Sequence, residues 1–183
     1  MVSVLFLNIE GAFPNAVTDR LLHNLRKRRV PEVFVTYISR MLTGWRTRLK
    51  FDNDTLAWFE LDNGIRQGDP LSMLLYLYYN SDLLEVPKGW DGPGLGYVDD
   101  MALVAIAKDF QEAHRGIRHM MTQAGGAVEW SGAHNSWFEA TKSVLVDFTC
   151  SKSKQCPPME LSRVILALQP AHKFLGVLLD QEL

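Results

Sequence analysis

Asp99 and Asp100 stand side by side between two short apolar runs, residues 95–98 and 101–106. Two carboxylates held close among apolar strands repel each other and take up protons unless a cation compensates them, so a divalent metal is the chemistry this pair could serve. Mg²⁺ suits that role because it is hard, takes oxygen ligands and needs only one or two protein carboxylates, leaving positions for water and phosphates. The plain alternative is a solvated Asp-Asp hairpin turn, for which Asp is an ordinary choice. A second pattern is electrostatic. Across residues 20–50 nine basic residues (Arg20, Arg26, Lys27, Arg28, Arg29, Arg40, Arg46, Arg48, Lys50) meet one acid, Glu32, so the segment carries +8 and the remainder −10 in a chain of net charge −2. Such a segment could hold phosphates; the plainer account is that residues 26–29 are the solvated end of a helix, where cations complement the macrodipole.

The elements that must position these residues can be read from the pattern. The 183 residues, 47% of them apolar and 22% charged, are one domain's worth of globular chain and lie outside the disordered and low-complexity classes. No apolar run is long enough to span a bilayer, and the opening residues lack a signal peptide's basic region and cleavage site, so the expectation is an intracellular protein that is neither membrane-spanning nor secreted. Cys150 and Cys156 fit no zinc spacing and read as reduced thiols. Residues 2–9 form an apolar, β-rich run closed by Glu10-Gly11, a buried strand. A turn at Pro14-Asn15 leads to an amphipathic helix ending near Arg29, with Thr18 or Asn15 as cap, and a second helix starts with Pro31 at its first position and stops at Gly44. Runs 45–51 and 55–61 flank Asp52-Asn53-Asp54, a hairpin signal. A loop over residues 63–70 enters, at Asp69-Pro70, a largely buried helix over 71–84. Residues 95–98 and 101–106 predict a tight hairpin with the acids at its tip. A further helix from Phe110 breaks at Gly125-Gly126, residues 143–149 form a strand, and after a Ser/Lys/Pro-rich connection residues 164–168 and 174–179 predict a closing hairpin. This order describes an α+β layer, helices covering one face of an antiparallel sheet.

Three segments carry a more specific signal: Phe6-Leu7-Asn8-Ile9-Glu10-Gly11-Ala12-Phe13, Asn63-Gly64-Ile65-Arg66-Gln67-Gly68-Asp69-Pro70-Leu71-Ser72, and Tyr97-Val98-Asp99-Asp100. In this order they resemble motifs A, B and C of the reverse transcriptase palm, most closely the non-LTR retrotransposon type found in fungal genomes. Ala140-Thr141-Lys142-Ser143 resembles motif D, and His172-Lys173-Phe174-Leu175-Gly176-Val177 resembles motif E, so the resemblance spans nearly the whole chain. It implies one palm domain over residues 1–183 with an antiparallel, polymerase or ferredoxin-like sheet. The activity it implies is RNA-templated synthesis of DNA from a primer and deoxynucleotides, using two Mg²⁺ (or Mn²⁺) ions. Asp99 and Asp100 would then be the metal ligands, Asp99 the main one, and Lys142 would lie near the leaving phosphate. Phe13 would be the steric gate that rejects a 2′-hydroxyl, the alternative being an ordinary core aromatic. Gln67 and Gly68 would lie against the nascent base pair, Tyr97 would face the substrate, and Arg26, Lys27, Arg28, Arg29, Arg46 and Arg48 would contact nucleic acid.

One position departs from the family. Where the motif A aspartate belongs, this chain has Asn8, whose amide offers a neutral oxygen in place of an anion. Glu10 lies two residues on, but the turn at Gly11 opposes its rescuing the site. The sequence also shows only seven residues before motif A and nothing after motif E to form a thumb, so fingers and thumb are expected to be missing. The expectation is a catalytically impaired or dead palm. Two alternatives stay open: a non-catalytic nucleic-acid-binding module using the basic segment with Tyr37 and Trp45 for stacking, and a retroelement fragment without function.

Overall fold

The computed structural model describes residues 1–52, 54–89, 91–149, 159–161, 164–166 and 168–181. Cys150, Cys156, Asn53 and the Ser/Lys/Pro-rich connection lie outside the described residues. The chain divides into two compact units, one made of Met1–Glu10 and Asn80–Leu183, the other of Gly11–Tyr79. Among the described residues no helix is long and apolar enough to cross a membrane.

The first unit is built on a four-stranded antiparallel sheet. Strand β1 (Val2–Asn8) lies between β7 (Asp100–Ile106) and β8 (Val144–Phe148), with β6 (Gly94–Tyr97) at the outer edge beside β7. Residues 3–7 and 101–105 are buried without alternation because both faces of the sheet are covered. On one face Val4, Phe6, Ala102, Val104, Val146 and Phe148 form a cluster, with Phe174 and Leu179 packed against it. Those two come from the hairpin of β11 (Ala171–Phe174) and β12 (Val177–Asp180). The other face carries Ser3, Leu5, Leu103, Leu145 and Asp147, all buried. It meets α5 (Phe110–Thr122), whose Ala113, Ile117, Met120 and Met121 are buried. Asp109 caps α5 by accepting from the Glu112 N–H at 2.8 Å. The mixed helix and antiparallel sheet is the expected α+β fold of palm type.

One expectation for this unit is corrected, and one helix was not foreseen. Among the described residues, the expected hairpin of 164–168 with 174–179 is not formed: β10 (Val164–Leu166) pairs with β9 (Met159–Leu161), while β11 pairs with β12. The reason is a local turn, Leu175-Gly176, in which both residues have positive φ (49° and 86°), the backbone of a I′ hairpin that joins Phe174 directly to Val177. After Gly126 the chain forms another helix, α6 (Ala127–Ala133), which packs on α5 through a face that buries Ala127 and Trp130. Seven residues containing Gly132 carry too little periodicity to show it in advance.

The second unit holds α1 (Ala12–Asn15), α2 (Thr18–Lys27), α3 (Glu32–Leu42) and α4 (Pro70–Tyr79). The expected turn at Pro14-Asn15 is the one-turn helix α1. Neither Thr18 nor Asn15 caps α2; its N-cap is Val17, and the free N–H groups of Val17 and Thr18 are taken by the Tyr79 hydroxyl (3.1 Å) and Asn63 Oδ1 (3.2 Å), partners distant in sequence. Pro31 is the N-cap of α3 rather than its first helical residue. Helix α4 stops at Tyr79, five residues short of expectation, because Asn80-Ser81-Asp82 offers no apolar continuation. It is buried on one face only, with Met73, Leu74 and Leu77 exposed. The expected hairpin over 45–61 consists of two short ladders, β2 (Trp45–Thr47) with β5 (Phe59–Leu61) and β3 (Lys50–Phe51) with β4 (Asp54–Thr55).

Candidate metal site at the end of the central strand

The register of the sheet brings the first strand's last residue to the paired acids. Asn8 lies opposite Asp100, which in turn lies opposite Tyr97. Directly opposed residues share a face, so Asn8, Asp100 and Tyr97 project on the side of Phe6, Ala102 and the β11–β12 hairpin. The connection from β6 to β7 is the two-residue loop Val98-Asp99, in which only Val98 has positive φ (58°). That is the pattern of a II′ turn, normally filled by glycine at this place. A β-branched residue there is strained by about 1–3 kcal/mol, and such strain concentrates at working sites. Two backbone bonds fix the surroundings. The Ile9 N–H donates to the Asp99 carbonyl at 2.9 Å, and the Glu139 N–H donates to the Asn8 carbonyl at 2.9 Å.

The side chains converge. Asn8 Nδ2 donates to Asp99 Oδ2 and to Asp100 Oδ1, each at 3.4 Å, so one amide nitrogen sits between both carboxylates. A neutral N–H₂ group occupies the point on which two anions are trained. Glu10 leaves the sheet, its N–H bonding the Trp137 carbonyl at 2.8 Å and its side chain exposed. Among the described residues no group of three or more His, Cys, Asp or Glu side chains is placed to hold a metal ion. The residues that could hold a hard cation here are Asp99 and Asp100, with Asn8 able to offer its neutral Oδ1 only if the amide turns over.

Lys142, at the end of a short 3₁₀ turn (Ala140–Lys142), pairs with Glu139 at 2.7 Å. Glu139 holds the Lys142 ammonium above its ordinary pKa, and Asp99 and Asp100 add to the effect. Lys142 reciprocally lowers the Glu139 carboxyl. His172 of β11 packs at a tilt against Phe6 with ring centroids 4.5 Å apart; burial lowers its pKa, opposed by the nearby charge of Asp100. Sequence reasoning assigned no role to Glu139 or His172. The motif E segment named His172, and nothing in the pattern near Glu139 marked it.

The remaining candidates lie in the second unit. Phe13, half-buried in α1, packs its ring 5.3 Å from that of Tyr76 on α4, and its carbonyl accepts from the Ile65 N–H at 2.8 Å. Gln67 and Gly68 are exposed in the loop before α4, and Gly68 has φ 93°, a conformation natural only to glycine. Asp69 Oδ1 accepts from the Leu71 N–H at 2.9 Å and starts that helix, with Pro70 at its first position. Lys27 and Arg29 are exposed at the end of α2, and Arg28 is partly buried. Arg26 is bonded to Glu32 (2.7 Å) and Arg46 to Glu60 (3.1 Å), whereas Arg48 lies over the Trp58 ring at 4.7 Å.

The palm-type α+β sheet carries its paired aspartates on a strained hairpin beside the end of β1, and comparison with known proteins supports a reverse-transcriptase-like domain. No family model matches the chain. Its homologues are RNA-directed DNA polymerases of non-LTR retrotransposons. The chain is 28% identical over 185 residues to the "Probable RNA-directed DNA polymerase from transposon X-element" of Drosophila melanogaster, covering 98% of this chain and 19% of that protein. To the RNA-directed DNA polymerase from mobile element jockey of the same species it is 24% identical over 184 residues, covering 97% and 19%. It thus spans about a fifth of the length of these relatives. The fold is shared with telomerase from Candida tropicalis solved with a fragment of telomeric RNA, at a TM-score of 0.62 and 12% identity, over 87% of this chain and 27% of that one. The apo form of that enzyme gives a TM-score of 0.59 at 11% identity.

Proposed function

We propose that this domain is the metal-binding palm of an RNA-templated DNA polymerase in which Asn8 replaces one of three carboxylates, leaving nucleotidyl transfer impaired or absent. The carrying observation is the Asn8 amide lying 3.4 Å from both acids. Asp99 and Asp100 would hold a divalent cation, Mg²⁺ or Mn²⁺, which when bound supplies charge neutralisation for a triphosphate and acidifies a primer hydroxyl. With an amide in place of the third anion the site is one unit of charge short for two dications. Lys142 would hold a proton at Nζ for the departing pyrophosphate. Phe13 would stand under the sugar, Gln67 and Gly68 against the nascent pair, and Tyr97 toward the substrate. The RNA template and DNA primer would be held through phosphates by exposed Lys27, Arg29 and Arg48 of the basic segment. Relatives named as RNA-directed DNA polymerases support this reading.

Mn²⁺ titration followed by electron paramagnetic resonance tests it. Asn8→Asp is expected to bind the ion at least about tenfold more tightly than the unmodified chain, since a tenfold change asks only about 1.4 kcal/mol of an added charge. Loss of Asp99 and Asp100 together should abolish binding in either background. Primer extension by the unmodified chain well above an Asp99→Ala, Asp100→Ala control would overturn the claim of impairment.

A further inference from the structure

We propose that Asn80, a residue inside the core of the first unit, is a positioning residue that selects the turn conformation on which the paired acids depend. This deepens the metal-site reading and rests on it. Asn80 is fully buried, and its Nδ2 donates to the Val98 carbonyl at 3.0 Å, with Met101 Sδ at 3.9 Å as a second neighbour. A carbonyl can only accept, so the bond itself fixes which end of the amide points at Val98. The other end, Oδ1, is buried without a hydrogen-bond partner. A buried amide used at half its capacity is costly where a leucine of similar shape would not be. The donor half is therefore the feature that explains a polar side chain here.

What the bond controls follows from turn geometry. In a two-residue hairpin loop the carbonyl of the first central residue belongs to the central peptide group, and turning that group over interconverts the II′ and I′ forms. Val98 is that first residue. The I′ form would require Asp99 as well as Val98 at positive φ, and would redirect the carboxylate now bonded to Asn8. Asn80 holds the Val98 carbonyl while the Ile9 N–H holds the next carbonyl, that of Asp99. Successive carbonyls of the turn are thus clamped, one by the core and one by the central strand, and the strained Val98 is kept where a glycine would rest unaided.

The test uses the full chain, isotopically labelled, with Asn80→Leu and with the double variant Asn80→Leu, Val98→Gly. Positive φ brings a residue's own amide and α protons unusually close, so Val98 of the unmodified chain should give a strong cross-relaxation signal between them. Asn80→Leu should weaken that signal and shift the Asp99 resonances. In an Asn8→Asp background it should also cut Mn²⁺ affinity about tenfold, equivalent to about 1.4 kcal/mol. Val98→Gly should restore affinity to the double variant, because glycine adopts the turn without the clamp; a packing role for Asn80 would not be rescued this way. A folded Asn80→Leu chain with unchanged Val98 signal and unchanged affinity would overturn the proposal. If Asn80→Leu does not fold, the unmodified chain decides: one Asn80 side-chain amide proton protected from exchange supports the clamp, and rapid exchange of both overturns it. Should Asn8→Asp gain no affinity at all, the metal-site reading fails while the Val98 signal still decides the role of Asn80.

Discussion

At the scale of single residues, charge placement decides what the sheet can tolerate. On the face opposite Asn8 and Asp100, Asp147 accepts from the Ser3 hydroxyl at 2.6 Å and binds His114 Nε2 at 2.9 and 3.1 Å, all three side chains buried. Ser3 and Asp147 are register partners on β1 and β8, and His114 comes from α5, so the carboxylate ties the helix to two strands. Asp147→Ala should cost about 3–5 kcal/mol in urea unfolding, the cost of stranding buried partners; a loss under about 1 kcal/mol would show that packing alone holds α5. His172 provides a pH dependence. Burial lowers its pKa below the ordinary imidazole value of 6.5, so on acidification the unfolded chain takes up a proton first. Its contribution is fully present above pH 6.5 and is lost as pH falls toward the folded value. Thermal midpoints should therefore drop less between about pH 7 and 5 in His172→Gln than in the unmodified chain, and parallel curves would exclude this origin. Adjacent Asp99 and Asp100 were legible because sequence neighbours announce themselves. Ser3, His114 and Asp147 were not, because strands and a helix 144 residues apart at the extremes must first acquire their register.

Elements were readable where the local pattern was sufficient. β1, β7 and β8 follow from short apolar runs, and α2, α3 and α5 from helical spacing with recognisable stops. Positions whose demands come from a neighbouring backbone were not readable, and glycines show it best. A Cβ at Gly94 would lie 2.7 Å from the Leu84 carbonyl oxygen and 3.1 Å from its Cα, backbone atoms of the 3₁₀ turn Leu83–Glu85 against which β6 packs. Gly94→Ala must push the edge strand from that turn and should destabilise by about 1–3 kcal/mol. Gly132 is also glycine inside an element, yet a Cβ there meets nothing within 4 Å. In α6 it has an ordinary helical backbone, so Gly132→Ala should stabilise by about 0.4–1 kcal/mol through the unfolded chain. Paired denaturation curves check both signs; the same sign for both would mean that close backbone approach does not govern Gly94.

For the whole molecule, the relation between charge and chain order matters most. The +8 segment of residues 20–50 lies entirely in the unit Gly11–Tyr79, whereas Asp99, Asp100 and Lys142 lie in the unit formed by both ends of the chain. The sequence contains no Gly- or Pro-rich linker that would mark this division, because the central unit is inserted between β1 and the rest of its sheet, and only strand pairing reveals that the ends belong together. Under the proposed function, phosphate holding and cation holding fall on different stretches of chain and should separate experimentally. Single-stranded RNA binding is expected to weaken with salt, log K falling by about 0.7 per neutralised phosphate for each unit of log salt concentration. Arg29→Glu with Arg48→Glu, two exposed cations outside the Arg26–Glu32 and Arg46–Glu60 pairs, should flatten that slope and lower affinity at low salt. Asp99→Ala with Asp100→Ala should leave both slope and affinity unchanged when no divalent ion is present. Fluorescence anisotropy of a labelled oligonucleotide across a salt series reads all three chains. Binding that is insensitive to salt, or that disappears with the two aspartates in chelator, would show that the basic segment is a solvated surface and that the acids act on nucleic acid by another route.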